Sequence, residues 1–219
     1  MTHVAVIDPG TRVPELDCFN RMARSSTTRL TLHLPALFGI ESLEHDAEGL
    51  AGVVILGSGA SVHDDVDWQH ALGGWLLPRL RSGLPALGLC YGHQLLAHLL
   101  GGTVDFLRED RFKIKGLRSV LIDSDRLWGA GGTGQMIVSH REAVTALPPE
   151  CTLRGSTSAC AIEAFSHDRL PIGGFQPHPE ATPAFASNNT VPFDADPAVL
   201  AFGHTLVDQF IARAAADRL

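Results

Sequence analysis

The sequence predicts an α/β fold: a mostly parallel central sheet flanked by helices, plus a smaller antiparallel, strand-rich portion. Three observations carry this. Short β-rich runs at residues 3–8, 29–34, 53–56 and 85–89 alternate with helical or Gly/Pro-rich segments, the order that parallel strands joined by crossovers require. Past Gly102 the texture changes to short runs at 117–122, 135–139, 152–156 and 159–165, broken by Gly, Pro and Asp clusters, which reads as partly antiparallel sheet. The chain then closes after Pro197 on Val199, Phe202, Leu206 and Phe210, spaced as the apolar stripe of a terminal helix.

The covering helices follow from the same periodicity. Residues 13–24 form one candidate. Residues 67–81 form a second, with Trp68, Leu72, Trp75, Leu76 and Leu80 on one face. A third begins with the run 95–100. With 219 residues and 45% hydrophobic content, the chain can bury one sizeable core, and residues 1–219 are read as a single domain.

Charge and cysteine usage exclude several roles. Lys and Arg number 17 against 24 acidic residues, a net charge of −7, so no basic field exists to hold nucleic acid. The cysteines at 18, 90, 151 and 160 have neither metal-ligand spacing nor disulfide density, which fits a reducing, cytoplasmic location. No charged leader and no long apolar span point to a membrane. Gly129-Ala130-Gly131-Gly132-Thr133-Gly134 matches G-x-G-x-x-G in letters, but it leads into a strand-like run rather than a helix, so the dinucleotide reading fails. There is no P-loop, and the histidines show no zinc spacing with cysteine or carboxylate. No cofactor is expected.

The chemistry concentrates at Gly88-Leu89-Cys90-Tyr91-Gly92-His93-Gln94. A strand that turns directly into a helix presents one side chain at a sharp corner only if its neighbours are small, and Cys90 stands between two such glycines. At the helix N-terminus the positive dipole end favours thiolate. Taken alone, a cysteine is more often a buried inert thiol; the elbow reverses that reading. A base and its orienter come from Gly174-Phe175-Gln176-Pro177-His178-Pro179-Glu180. Pro179 biases His178 toward extended backbone, where residues two apart share a side, so Glu180 can accept the imidazole N–H. His93 is a rival base on the Cys90 helix, but it lacks an orienting carboxylate. The first oxyanion donor at such a corner is the N–H of Tyr91. A second can come from the glycine-rich turn Gly57-Ser58-Gly59-Ala60-Ser61.

These blocks, with Val53-Val54-Ile55-Leu56-Gly57-Ser58-Gly59 and Ser139-His140-Arg141-Glu142-Ala143-Val144, resemble the class I glutamine amidotransferase family, close to the amidotransferase half of GMP synthase and its free-standing relatives. The resemblance covers most of the chain. It implies a flavodoxin-like class I amidotransferase fold and a triad of Cys90, His178 and Glu180. It also implies oxyanion donors at Gly59 and Tyr91, a contact from Gln94 to bound glutamine, and a pocket wall near Ser139 and His140. His140 could equally serve only its loop backbone. The implied reaction is hydrolysis of the glutamine amide through a glutamyl thioester. Because the chain has no ATP site, the ammonia would pass to a separate ATP-dependent synthetase.

Three positions depart from the family pattern. Pro177 stands where an aromatic residue is usual, the first glycine block reads Gly-Ser-Gly-Ala, and Arg111-Phe112-Lys113-Ile114-Lys115-Gly116 replaces a glycine and glutamate pattern. The last of these motivates a second reading, a free-standing hydrolase of γ-glutamyl amides or peptides. A non-catalytic regulatory subunit of the same fold is the third.

Overall fold

The computed structural model describes residues 2–216 and Leu219. The first half alternates as expected: β1 (His3–Ile7), α1 (Leu16–Ser25), β2 (Arg29–His33), the short helices α2 (Pro35–Phe38) and α3 (Glu41–His45), β3 (Leu50–Ile55), α4 (Asp67–Arg81), β4 (Ala86–Leu89) and α5 (Tyr91–Leu99). The second half adds β5 (Thr103–Phe106), β6 (Ile114–Ile122), β7 (Gly132–His140), β8 (Glu142–Ala146), β9 (Cys151–Thr157), β10 (Cys160–His167) and β11 (Ile172–Phe175). It ends with α6 (Pro183–Asn188), a 3-10 turn over Pro197–Leu200, and α7 (Ala201–Ala215).

Nine strands form one sheet in the order β2-β1-β3-β4-β11-β10-β9-β6-β7, and β5 pairs with β8 in a separate two-stranded sheet. The pairings among β2, β1, β3, β4 and β11 are parallel, whereas β11 to β10, β10 to β9, β9 to β6 and β6 to β7 are antiparallel. The central strands are apolar because both faces are covered. Ala5, Ile7, Val53 and Ile55 face the buried side chains of α4 and α5, while Val4, Val6, Val54 and Leu56 face Met22 of α1 and Leu206, Val207 and Phe210 of α7. The strand period of two thus separates two cores from one run of sequence.

Two boundaries differ from the sequence expectation for identifiable reasons. The helix expected from Val13 begins at Leu16, because the buried Asp8 carboxylate accepts from the N–H groups of Gly10 and Glu15, at 2.9 and 2.7 Å, and folds the intervening residues into a loop. The closing segment starts as a 3-10 turn before becoming α-helical at Ala201. Gly131 immediately precedes β7 and Gly134 lies within it, so the G-x-G-x-x-G letters run into a strand as expected, and a side chain at Gly134 would collide with Phe202 of α7 at 2.2 Å. No described helix is long and apolar enough to cross a membrane.

Candidate functional site

The thiol is set by the join between β4 and α5. Cys90 has φ 52° and ψ −101°, a conformation unusual for a non-glycine residue and stored at about 1–3 kcal/mol. Its surroundings enforce it: the N–H of Cys90 donates to Phe175 O at 2.8 Å, and that of Gly92 donates to Leu56 O at 3.2 Å. The flanking glycines are steric necessities. A Cβ at Gly88 would lie 2.3 Å from Gly92 O, and one at Gly92 would lie 2.2 Å from Ile55 O. The N–H of Tyr91 and that of Gly59 are engaged in no hydrogen bond among the described residues. The Gly59 loop is itself shaped by Ser58, whose hydroxyl donates to Pro9 O and accepts from the N–H of Ala60.

His178 arrives from the loop after β11. Its N–H donates to Ile137 O of β7 at 2.8 Å, which ties the loop down at the residue after Pro177. The imidazole Nδ1 is 2.9 Å from Glu180 Oε1, and both side chains are buried. Because the carboxylate accepts, Nδ1 carries the proton, and the buried Nε2 is left without another partner. The Cys90 thiol is the neighbour: a Cβ placed on Gly57 would lie 2.6 Å from His178 Cε1 and 3.6 Å from Cys90 Cβ. Burial disfavours the imidazolium, but the charges of Cys90 and Glu180 outweigh it and push the His178 pKa up to about 10. The Phe185 ring backs the imidazole at 4.5 Å between centroids. Cys151 and Cys160, by contrast, are pushed up to about 12 chiefly by burial, and Cys18 is raised as well. His93, the rival base, lies fully buried against Phe165 and is pushed down to about 3 by the same effect.

One residue that sequence reasoning leaves without a role joins this group. The buried Gln176 amide donates to Cys90 Sγ at 3.7 Å, and its carbonyl accepts from Gln94 Nε2 at 3.1 Å. Gln94 Nε2 also donates to Glu142 O at 2.7 Å, so its amide nitrogen is held by protein and only its carbonyl remains for a ligand. Gln176 precedes His178 by two in an extended segment, the same period-two argument that links His178 to Glu180, and that signal could have found it. His140 Nδ1 lies 3.0 Å from Glu142 O, and Arg118 approaches Nε2 at 3.5 Å. Since Arg118 can only donate, the Nδ1 proton goes to Glu142 O, and burial holds the ring neutral at a pKa of about 4. Behind it Arg118 pairs with the fully buried Glu163 at 2.7 Å.

Two cavities meet at this centre. The smaller, about 220 Å³, is lined by Cys90, Gln94, Ser139 and His140, with Arg111 and Lys113 on its outer wall. The departing segment is therefore part of the site. Arg111 adopts a positive φ of 57° and lies over the Phe106 ring, and Lys113 borders the cavity immediately before β6 begins. The larger cavity, about 700 Å³, is lined by His178 and by the loop after β1. No cluster of three or more metal-ligating side chains exists among the described residues.

Of the sequence-predicted residues, Cys90, His178 and Glu180 come together. Gly59, Gln94, Ser139 and His140 line the small cavity, and Tyr91 contributes its backbone while its ring packs beside Trp68.

Comparison with known proteins shows what the chain as a whole is similar to. The chain is 30% identical over 188 residues to GMP synthase (glutamine-hydrolyzing) of Bordetella parapertussis, covering 82% of this chain and 34% of that protein. It is 32% identical over 140 residues to one subunit of the GMP synthase (glutamine-hydrolyzing) of Methanothermobacter thermautotrophicus, covering 64% of this chain and 69% of that subunit. The chain thus spans about a third of the length of the Bordetella proteins it matches. A glutamine amidotransferase of Thermotoga maritima shares the fold, with TM-score 0.70, 19% identity, and coverage of 100% of this chain and 98% of that one. The family model for glutamine amidotransferase class-I matches residues 33–193. On that match, the chain belongs to an enzyme family, the class I glutamine amidotransferases.

Proposed function

We propose that this protein hydrolyses the side-chain amide of glutamine and hands the ammonia to a separate ATP-using synthetase. The observation that carries the reading is the strained Cys90 elbow beside an imidazole braced by Glu180 at 2.9 Å. The Cys90 thiolate attacks the amide carbon, forming a C–S bond, while the carbonyl oxygen takes up negative charge toward the N–H groups of Gly59 and Tyr91. His178 then delivers its Nε2 proton to the amide nitrogen as the C–N bond breaks. Water, losing a proton to His178, cleaves the thioester to give glutamate and restores the thiol. Throughout, Glu180 fixes the tautomer and stabilises the imidazolium. Gln94, Ser139 and His140 would hold the glutamyl portion, with the Gln94 carbonyl facing its ammonium.

The separate synthetase is supported by relatives whose names make them one subunit of GMP synthase, matched here over 69% and 51% of their own length. Four free cysteines support a reducing, cytoplasmic setting, and the net charge of −7 argues against nucleic acid as partner. The test is glutamate release from glutamine, with and without candidate synthetases, together with labelling of Cys90 by a glutamine-like chloroketone. Release and labelling that both vanish in Cys90→Ala support the reading. A thiol that never labels, with no release under any condition, overturns it.

A further inference from the structure

Beyond His178, Gly59 and Ser139, the larger cavity extends past the residues that hydrolysis of glutamine engages. Cys90 borders only the small cavity and His178 borders only the large one, while Ser58, Gly59, Lys113 and Ser139 line both. The two spaces therefore meet across the thiol and imidazole. The division matches the two halves of an amide. The acyl group must sit at the sulfur and the oxyanion donors, whereas the nitrogen that receives the His178 proton must lie on the imidazole side. For glutamine that side holds only ammonia. The cavity there measures about 700 Å³ against about 220 Å³ on the acyl side. That is well inside the range of about 300–1,000 Å³ that binds drug-sized ligands.

The topology argues independently for a ligand in this place. From β1 the chain steps outward to β2 and then returns to the opposite side of β1 as β3, so the loops after β1 and β3 diverge and leave a crevice at the carboxyl ends of the strands. Such switch points are where open α/β sheets bind ligands. The loop after β1 supplies Arg12 and Glu15, the loop after β3 supplies Gly57 to Ala60, and the end of α6 supplies Asn188 and Asn189. The lining is built for a polar occupant. Glu15 Oε1 is fixed by Asn189 at 2.8 Å while its buried Oε2 has no partner, and Arg12 forms no ion pair among the described residues.

We infer that the large cavity binds the amine portion of N-substituted γ-glutamyl amides, so that the enzyme cleaves γ-glutamyl–amine bonds as well as glutamine. The inference rests on the Cys90, His178 and Glu180 reading and deepens it by naming the leaving group. The chemistry balances without any further reactant. Cys90 forms the C–S bond, the C–N bond breaks, His178 protonates the departing nitrogen to release a free amine, and water returns glutamate and the thiol.

The experiment measures kcat/KM for glutamine, γ-glutamylalanine and γ-glutamylbutylamide on the whole chain, with two variants at exposed rim positions, Asn188→Trp to fill the cavity and Arg12→Ala to remove its cation. The expected result is a kcat/KM for at least one N-substituted amide equal to or above that of glutamine. Asn188→Trp should lower that value by about tenfold or more while glutamine turnover stays within about twofold. Arg12→Ala should lower γ-glutamylalanine, which carries a carboxylate, more than γ-glutamylbutylamide, which does not. Glutamine hydrolysis that exceeds every N-substituted amide overturns the inference and leaves the glutaminase reading standing, as does an Asn188→Trp effect equal on all substrates. Cleavage of none of them, with no Cys90 labelling, overturns both.

Discussion

Gly57→Ala is a one-atom test of the catalytic geometry. The added Cβ would stand 2.6 Å from His178 Cε1, whereas ordinary contact begins at 3.4 Å, so the ring must shift by roughly 0.8 Å. It has little room to do so: Glu180 holds Nδ1 at 2.9 Å, Ile137 O holds the backbone at 2.8 Å, and Phe185 lies behind at 4.5 Å. The same Cβ would sit 3.6 Å from Cys90 Cβ, so the thiol stays while the base is pushed away. A misplacement of about 1 Å at a proton-transfer pair costs on the order of 10²-fold in rate, and kcat for glutamate release should fall by about that factor. The control is Gly74→Ala on α4, where a Cβ meets nothing within 4 Å. It should leave activity unchanged and raise stability by about 0.5–1 kcal/mol, as expected for Gly to Ala in a helix. Steady-state glutamate release with thermal unfolding of both variants reads the outcome. A Gly57→Ala protein that keeps activity within about threefold of wild type, folded, would refute the placement of His178 against the thiol.

Further outcomes follow from the same geometry. Cys90→Ala and His178→Ala should each lower kcat by on the order of 10⁴-fold or more, while Glu180→Gln, which keeps an imidazole in place, should retain more residual rate; equal activity across the set would sink the triad. His178 has a folded pKa of about 10, above its ordinary 6.5, so its contribution to stability is full below about pH 6.5 and is lost as pH rises through about 10. The melting temperature should therefore fall over that window, and fall less in Cys90→Ala, which lacks the thiolate that raises the pKa; identical pH profiles for the two proteins would contradict this. Gln176→Ala removes the donor to the sulfur, and at 3.7 Å that bond is at the weak end of those to a charged group, so Cys90 alkylation should slow by about tenfold; an unchanged alkylation rate across pH would remove Gln176 from the site. Arg118→Met strands the buried Glu163 and should cost about 3–5 kcal/mol in denaturant unfolding, and a loss below about 1 kcal/mol would show the pair to be dispensable.

Much of the site is legible because its signals are local. The two glycines beside Cys90 stand out as a pattern, although only Gly88 is confined by near neighbours, at Gly92 O, while Gly92 is confined by Ile55 O of β3. Pro179 with Glu180 places an imidazole and the carboxylate that accepts from it in one extended stretch. Gln176 shares the period-two register of His178 and Glu180, which marks the side it faces, but its partners, Cys90 and Gln94, are 86 and 82 residues away in sequence and only the fold supplies them. The strand β11 is hidden for a similar reason. Its glycines suit a close approach to Gly88 and His93, where a Cβ on Gly174 would meet Gly88 O at 2.6 Å, and that requirement exists only once β4 lies alongside.

By itself the sequence determined the alternating α/β character, the presence of an elbow at Cys90 and the pairing of His178 with Glu180, since each shows in periodicity, in the glycine pattern or in a spacing of two residues. The contacts that hold the elbow come instead from Ile55, Leu56 and Phe175. Only the tertiary structure decided that Asp8 cuts short the start of α1, that Arg111 to Lys113 wall the small cavity at Cys90, and that loops after β1 and β3 open a second, larger space beside His178. Those features arise where distant segments converge at the carboxyl ends of the strands. Cavity volume and charge environment are properties of that convergence and of no single stretch of chain.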